Sequence, residues 1–288
     1  MSGGAHDPCG TCGICCRAYL VPVCGRDIWE ISRRQHLDPE SFVVAVPQPK
    51  QMFSTFKLDE AGFAYSLALD KKRQFEPNSA CIFLVELGSG HSRCGIYSHR
   101  PVVCQAYPME MFRDVVFMRK DSRCPPNAWP DGEPLRPTWR VKVQRNHLHF
   151  DIYSEVATRW NERVARSPRG TAFTFTAYLN YLMNVYERLG VLEHEVGEET
   201  LRLVEANWSA MPENGDLTDP NLDRSRFPWL SYLGACREII DRFYPEIEPL
   251  PSASLMRAAA RRERWSDDAE MPEELRADLH PSQAVRSS

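Results

Sequence analysis

The chain has no surplus of positive charge, no long apolar run and none of the short motifs that announce common cofactor chemistries. Its formal net charge is -4 over 288 residues, which argues against nucleic acid or an anionic membrane as a partner recognised by bulk charge. The most apolar stretch, from Ala172 to Leu189, is broken by Asn180, Asn184 and Glu187, so no segment reads as a membrane span. The opening Met1-Ser-Gly-Gly-Ala-His-Asp-Pro8 lacks a basic region followed by an apolar core. No secretory signal is therefore expected, and the protein is predicted to be cytoplasmic. There is no GxGxxG, no phosphate-cradling glycine loop and no HExxH, and no internal repeat is visible.

What the chain does have is thiols. Ten cysteines in a reducing compartment are more readily metal ligands, catalytic groups or buried side chains than disulfides. Four fall together in Cys9-Gly-Thr-Cys12-Gly-Ile-Cys15-Cys16. Glycines between thiols let the backbone curl round an ion or cluster, because glycine takes positive φ without steric cost. Cys81, Cys94, Cys104 and Cys124 form a second group further along. Cys236 lies on the apolar face of a predicted helix and reads as a small buried hydrophobe. Cys24 is read first as core, with a ligand role as the alternative.

Two kinds of centre compete for the eight thiols Cys9, Cys12, Cys15, Cys16, Cys81, Cys94, Cys104 and Cys124. Structural zinc takes four ligands in a closed tetrahedron, so the set would satisfy two sites. An iron-sulfur cluster also takes thiolates, and Cys9, Cys12 and Cys15 repeat the first three steps of the bacterial ferredoxin run. Where that run has its fourth cysteine this chain has Tyr19, and Cys124-Pro125 could supply the ligand from a distance. Cys16 adjoins Cys15, and neighbouring side chains diverge. Two centres, or one cluster beside a free thiol, follow from that. The cysteine spacing of radical S-adenosylmethionine enzymes is absent.

Patterning predicts an α+β fold. Asp27 and Glu30 form a capping-box pattern ahead of a helix from about Ile28 to His36, and a short turn follows over 38–42. Residues 42–71 suit a small sheet or hairpin, with Phe63 to Leu69 alternating as a strand. Cys81 to Leu87 is a compact apolar run closed by a turn at Gly88 to His91. Pro101 opens a helical turn that Pro108 ends, Val115 to Met118 makes a strand, and 125–137 reads as a linker. Helical faces follow: Ile152, Val156, Trp160 and Val164; Tyr178, Leu182, Val185 and Leu189; Trp229, Leu233, Cys236, Ile240 and Phe243. Leu201, Val204 and Trp208 suggest a shorter helix, and 211–228 a long loop. Glu193, His194 and Glu195 read as a charged helix end. The division expected is a cysteine-cluster domain over 1–140, a helical region over 141–250 and a charged, flexible tail over 251–288.

At these cysteines the chain resembles the CxxCxxCC cysteine-cluster proteins of the YkgJ type, described as zinc- or iron-chelating or as iron-sulfur proteins. The opening cluster carries the resemblance, together with Cys81-Ile-Phe-Leu, Cys94-Gly-Ile-Tyr97-Ser-His-Arg100-Pro101-Val-Val-Cys104-Gln-Ala-Tyr107-Pro108 and Cys124-Pro125. Gln105 departs from it, since the family commonly has arginine there. The resemblance implies metal binding. Flagellin lysine N-methylase looks like a relative, so S-adenosylmethionine and protein lysine methylation enter by family analogy alone. From the chemistry of a negatively charged thiolate site, Arg100 is read as the offsetting cofactor-binding residue, and the turn at Pro101 as a source of N–H groups for sulfur. Tyr97 and Tyr107 are read as packing around the centre, and His91 and His99 as solvated. The leading expectation is an iron-sulfur protein in redox or cluster-dependent modification chemistry, with a protein substrate or redox partner. A structural zinc module serving protein interaction is the alternative from a different class.

Overall fold

Short helices and hairpins alternate up to residue 125, and long helices take over beyond it. The computed structural model describes residues 12–49, 54–73, 79–88, 90–112, 114–125, 136–208 and 226–243, with 76, 128, 129, 134, 210 and 223 between them. Cys9, the tail over 251–288 and nearly all of the loop expected at 211–228 lie outside the described residues. The helices are α1 (Ile14–Ala18), α2 (Gly25–Gln35), α3 (Val102–Ala106), α4 (Pro137–Ala165), α5 (Phe175–Val196), α6 (Glu198–Ala206) and α7 (Pro228–Arg242). The strands are β1 (Val43–Gln48), β2 (Phe56–Lys57), β3 (Ala64–Leu69), β4 (Leu84–Leu87), β5 (His91–Cys94), β6 (Met109–Phe112) and β7 (Val115–Met118). The class is α+β, with small antiparallel sheets ordered β1-β3-β2, β4-β5 and β6-β7.

Helix α2 starts three residues before the predicted Ile28, because the capping box sits one step earlier than the Asp27/Glu30 pattern suggests. Cys24 is the N-cap and Asp27 the third helical residue, whose carboxylate accepts the Cys24 N–H at 3.1 Å. The helix closes at His36, which takes the left-handed conformation at φ 54. The expected turn over 38–42 is a single 3₁₀ turn at Pro39–Ser41, held by the Asp38 side chain accepting from the Glu40 N–H.

In the first sheet β3 is central. Val43 pairs with Leu69 on one edge and Phe56 with Tyr65 on the other. The far end of that second edge is filled by residues 21–23, whose Val23 N–H donates to the Leu67 carbonyl at 3.0 Å while Leu69 N–H donates to Val21 at 2.9 Å. Covered in this way, Leu67, Ala68 and Leu69 are all buried, and the alternation expected along this strand fails at its end.

Helices α4 and α5 cover the sheet. Ile152, Val156, Trp160 and Val164 are buried, as are Tyr178, Leu182, Val185 and Leu189. The Phe56 ring stacks on Tyr178 with centroids 3.8 Å apart, and the Trp160 indole N–H donates to the Lys57 carbonyl at 2.6 Å. On α7 Trp229, Cys236 and Ile240 are buried, with Leu233 and Phe243 at the margin. One continuous core runs from Val21 to Ile240, and a smaller one, Ala106, Met109, Trp139 and Val143, lies under the β6-β7 hairpin. The α2–α5 contact is unusually close. A Cβ on Gly25 would sit 2.1 Å from the Tyr186 ring, and one on Gly190 would sit 2.6 Å from Trp29. Among the described residues no helix is long and apolar enough to cross a membrane.

Candidate metal centre

The N-terminal thiols reach the rest of the site through one short helix. Gly13, at φ 62, turns the chain into α1, and a Cβ there would lie 2.8 Å from Arg17 Nη1 and 2.9 Å from Ser92 Cβ. Glycine is thus needed both for the conformation and for the close seating against β5. That seating is fixed by Arg17, whose Nη2 donates to Ser92 Oγ and Glu86 Oε1, each at 2.9 Å. At the other end of α1 the Cys81 N–H donates to the Cys16 carbonyl at 2.8 Å. Lys71 Nζ donates to the carbonyls of Tyr19 at 2.6 Å and Cys16 at 3.1 Å.

Two more thiols flank the β4-β5 hairpin. Cys81 forms an isolated bridge with Lys71, and Cys94 pairs with Leu84 across the hairpin. Each lies at the start of the same local turn, in which the N–H two residues on, from Phe83 and from Ile96, bonds the thiol and favours its ionised form. Such N–H···S contacts stabilise a thiolate before any ion arrives.

Cys104 is supplied by α3, at the middle of its five residues. The helix is pinned by Asp27, whose Oδ1 accepts the Val102 N–H at 2.9 Å. The N–H group at Val102, read from the sequence as aimed at sulfur, therefore goes to a buried carboxylate on α2. Gln105 turns back and donates to the Arg100 carbonyl at 2.7 Å, so the residue that departs from the family pattern holds the segment bearing Arg100.

Four of these thiols sense one another. Burial raises Cys104 first of all, and next the charges of Cys15, Cys81 and Cys94. Cys81 is raised by burial and by Cys94 and Cys15; Cys94 is raised by burial and by Cys15, with Arg100 opposing. Cys15 is raised chiefly by its hydrogen bond with Cys16, then by burial. Metal-free, this group is held as protonated thiols. A bound cation inverts the preference, because deprotonation is then repaid by ligation.

Cys12 and Cys124 stand on the outer side. With Cys15, Tyr107, Arg123, Pro125, Ala128 and Trp129 they line a recess of ≈ 10 Å³, room for about one water-sized particle. Two tyrosines bring the Cys124 segment there. Tyr107 Oη accepts the Arg123 N–H at 2.7 Å, Tyr19 Oη donates to the Asp121 carbonyl at 2.8 Å, and the rings meet edge to face with centroids 5.8 Å apart. Cys15 belongs to both groups. A shallow groove of ≈ 280 Å³ exposes Cys94 on another side, between Val85, Leu87 and Tyr97.

Among the described residues no three His, Cys, Asp or Glu side chains already surround a point where an ion would sit. Binding at these thiols requires their deprotonation. The donor chemistry fits a thiophilic metal all the same: thiols drawn from separate segments, N–H donors on sulfur, and a buried cation at hand. That cation is Arg100, 8% exposed, with its guanidinium 4.0 Å from the Tyr97 ring centroid and its charge favouring the Cys94 thiolate. His99 faces Gln35 and Ser98 instead, and His91 is exposed on β5. Cys24 and Cys236 lie in the core, where the Cys24 thiol donates to Asp27 Oδ2 at 3.2 Å. Glu193 pairs with Arg26 at 3.0 Å, joining α5 to α2.

Two contributors were illegible in the sequence. Lys71 read as the end of the sheet-or-hairpin stretch over 42–71, and Asp27 as part of a helix cap. Neither carries a local signal for its second partner, which lies far along the chain.

Fold and site together define a cysteine-rich α+β unit continued by a helical region. Residues 8–125 match the CxxCxxCC family model, whose description is "Putative zinc- or iron-chelating domain". The description speaks of metal chelation and not of methyl transfer. Neither the curated proteins nor the solved structures contain a match.

Proposed function

We propose that the protein carries an iron-sulfur cluster on Cys15, Cys81, Cys94 and Cys104, with Cys12 and Cys124 as outer thiols, Cys16 beside Cys15, and Cys9 kept as a ligand on its sequence spacing alone, and that it serves redox or cluster-dependent modification chemistry on a protein partner. The observation carrying this reading is that Cys104 on α3 lies within electrostatic reach of Cys15 on α1 and of Cys81 and Cys94 at the two ends of the β4-β5 hairpin region. When bound, a cluster supplies electron transfer at a potential set by charge, hydrogen bonds to sulfur and exposure. The chain's own part is to hold and tune it. Phe83 and Ile96 N–H groups stabilise two thiolates, Arg100 adds charge next to Cys94, and the packing of α3 on α4 limits access of water to Cys104.

A structural zinc ion is the second reading, favoured by the way these thiols come from three separate segments, α1, the hairpin region and α3. Ligation would lock α1, the hairpin and α3 to one another, and the binding free energy would become folding free energy. Anaerobic purification decides between the two. Iron, acid-labile sulfide and visible absorption bleached by dithionite are expected; a colourless protein holding zinc alone would transfer the conclusion to the structural reading. Cys104→Ala and Cys12→Ala should each lower metal content, and Cys236→Ala should leave it unchanged. Equal metal loss in all three would refute the division of the cysteines.

A further inference from the structure

A centre made of four thiolates carries excess negative charge. With a core charge of about +2, the value for either Zn²⁺ or the oxidised cubane cluster, four thiolates leave a net charge of about −2. A site shielded from water needs compensating cations close by. Arg100 supplies one. The remaining cations near the thiols differ in what they face. Arg17 is committed to Glu86, and Arg123 lines the outer recess with Cys12 and Cys124.

Lys71 is different. Its ammonium bonds three main-chain carbonyls at the end of α1: Tyr19 at 2.6 Å, Cys16 at 3.1 Å and Arg17 at 3.4 Å. Among the described residues no ion pair to a carboxylate is formed by it. Its backbone forms the bridge to Cys81; burial lowers its ammonium below the usual lysine range, and the thiols whose charge opposes this are Cys81, Cys16 and Cys15. Arg100 acts on Cys94, on the opposite flank. Between them the two cations act on Cys15, Cys81 and Cys94, three of the four thiols of the proposed centre.

We infer that Lys71 is the second counter-cation of the thiolate centre, a positioning residue that seats α1 through its carbonyls and, with Arg100, brings a four-thiolate site of core charge about +2 to neutrality. This assignment rests on the metal-centre reading above. It goes beyond that reading by naming a residue outside the cysteine motif that sets affinity through charge.

The test uses the full chain, stripped of metal under reducing, anaerobic conditions and titrated with Zn²⁺ against a chromophoric chelator. Lys71→Gln keeps a donor for the carbonyls without the charge, and Lys71→Arg keeps the charge with altered donor geometry. Lys142→Gln, at a lysine resting on the Trp139 ring, is the control. K71Q should bind zinc about tenfold or more weakly, the usual size of an outer-sphere loss, and should need a higher pH for half-saturation. K71R should recover most of both, and K142Q should match wild type. Urea unfolding of each metal-free protein runs alongside, because K71Q also weakens a helix end. If K71Q and wild type bind zinc equally, the assignment fails. It fails equally if K71Q and K71R lose affinity alike and in proportion to lost stability, since Lys71 would then be a helix cap without an electrostatic part. A wild-type protein that binds neither zinc nor iron would instead overturn the metal-centre reading, and this assignment with it.

Discussion

Replacing Asp27 should weaken the fold and the metal site together. Its side chain is 5% exposed, and its carboxylate accepts from Val102 N–H at 2.9 Å, Cys24 N–H at 3.1 Å and the Cys24 thiol at 3.2 Å. The first bond is the anchor of α3, two residues from Cys104. Asp27→Ala leaves two buried backbone donors without an acceptor, each costing roughly 1–3 kcal/mol. Part of that is returned, because burial holds this carboxyl above the usual carboxylate range and its removal relieves an unfavourable desolvation. A net loss of about 2–4 kcal/mol is the expectation. Asp27→Asn keeps the shape and one acceptor oxygen without the charge, so it should cost roughly half as much. Equilibrium urea unfolding of the metal-free protein measures both, with an unchanged m-value as the sign that the folded state stays compact. Zinc titration should show both variants binding more weakly, alanine more than asparagine. If Asp27→Ala lies within about 0.5 kcal/mol of wild type at constant m, the carboxylate does not join α2 to α3 in the way described.

Two further outcomes bear on the scaffold. Gly25→Ala would place a Cβ 2.1 Å from the buried Tyr186 ring and 2.8 Å from Leu182, for a loss of about 1–3 kcal/mol. Gly234→Ala, inside α7 with nothing within 4 Å, should gain about 0.5–1 kcal/mol; melting shifts of the same sign in the two variants would contradict the packing. Stability of the metal-free protein should also fall in alkali. The Cys24 thiol is raised by burial, and that of Cys236 is pushed from 9.0 up to about 12, again by burial first. Both therefore favour the folded state fully while protonated in either state, and the unfolded chain, which ionises first, gains as pH rises above about 9. Urea midpoints taken from neutral pH to about pH 11 should decline over the upper part of that range, less so in Cys236→Ala. A rise instead of a decline would show that these thiols are not held neutral by the core.

The site gains its order from ordinary packing. The sheet, α4 and α5 form a rigid platform through contacts such as the Trp160 indole to the Lys57 carbonyl and the Asn161 side chain to the Lys57 N–H and the Thr55 carbonyl. Against that platform α2 presents Asp27, Asp27 fixes α3, and α3 offers Cys104. Lys71 lies two residues beyond the end of β3 and reaches α1 from there. The thiols are thus set out by elements that packing and hydrogen bonds of their own join to one another.

The α+β class, the apolar faces of α4, α5 and α7, and the crowding of thiols near the N-terminus were all legible in the sequence. Each is a local pattern, written in residues two, three or four apart. The start of α2 was misplaced by three residues because two overlapping boxes share Asp27, and the choice between them depended on the buried thiol at Cys24. Which thiols share a neighbourhood could not be read in the same way. The meeting of Cys15 with Cys81, Cys94 and Cys104 depends on the register of a hairpin, on the bond from Cys81 to Cys16 and on a carboxylate reaching from α2 to α3. Lys71 and Asp27 owe their roles to partners 30 or more positions away, with Lys71 reaching Cys16 at a separation of 55 and Asp27 reaching Val102 at 75. Contacts of that range are selected by the packed fold as a whole, and no short window of sequence contains both partners.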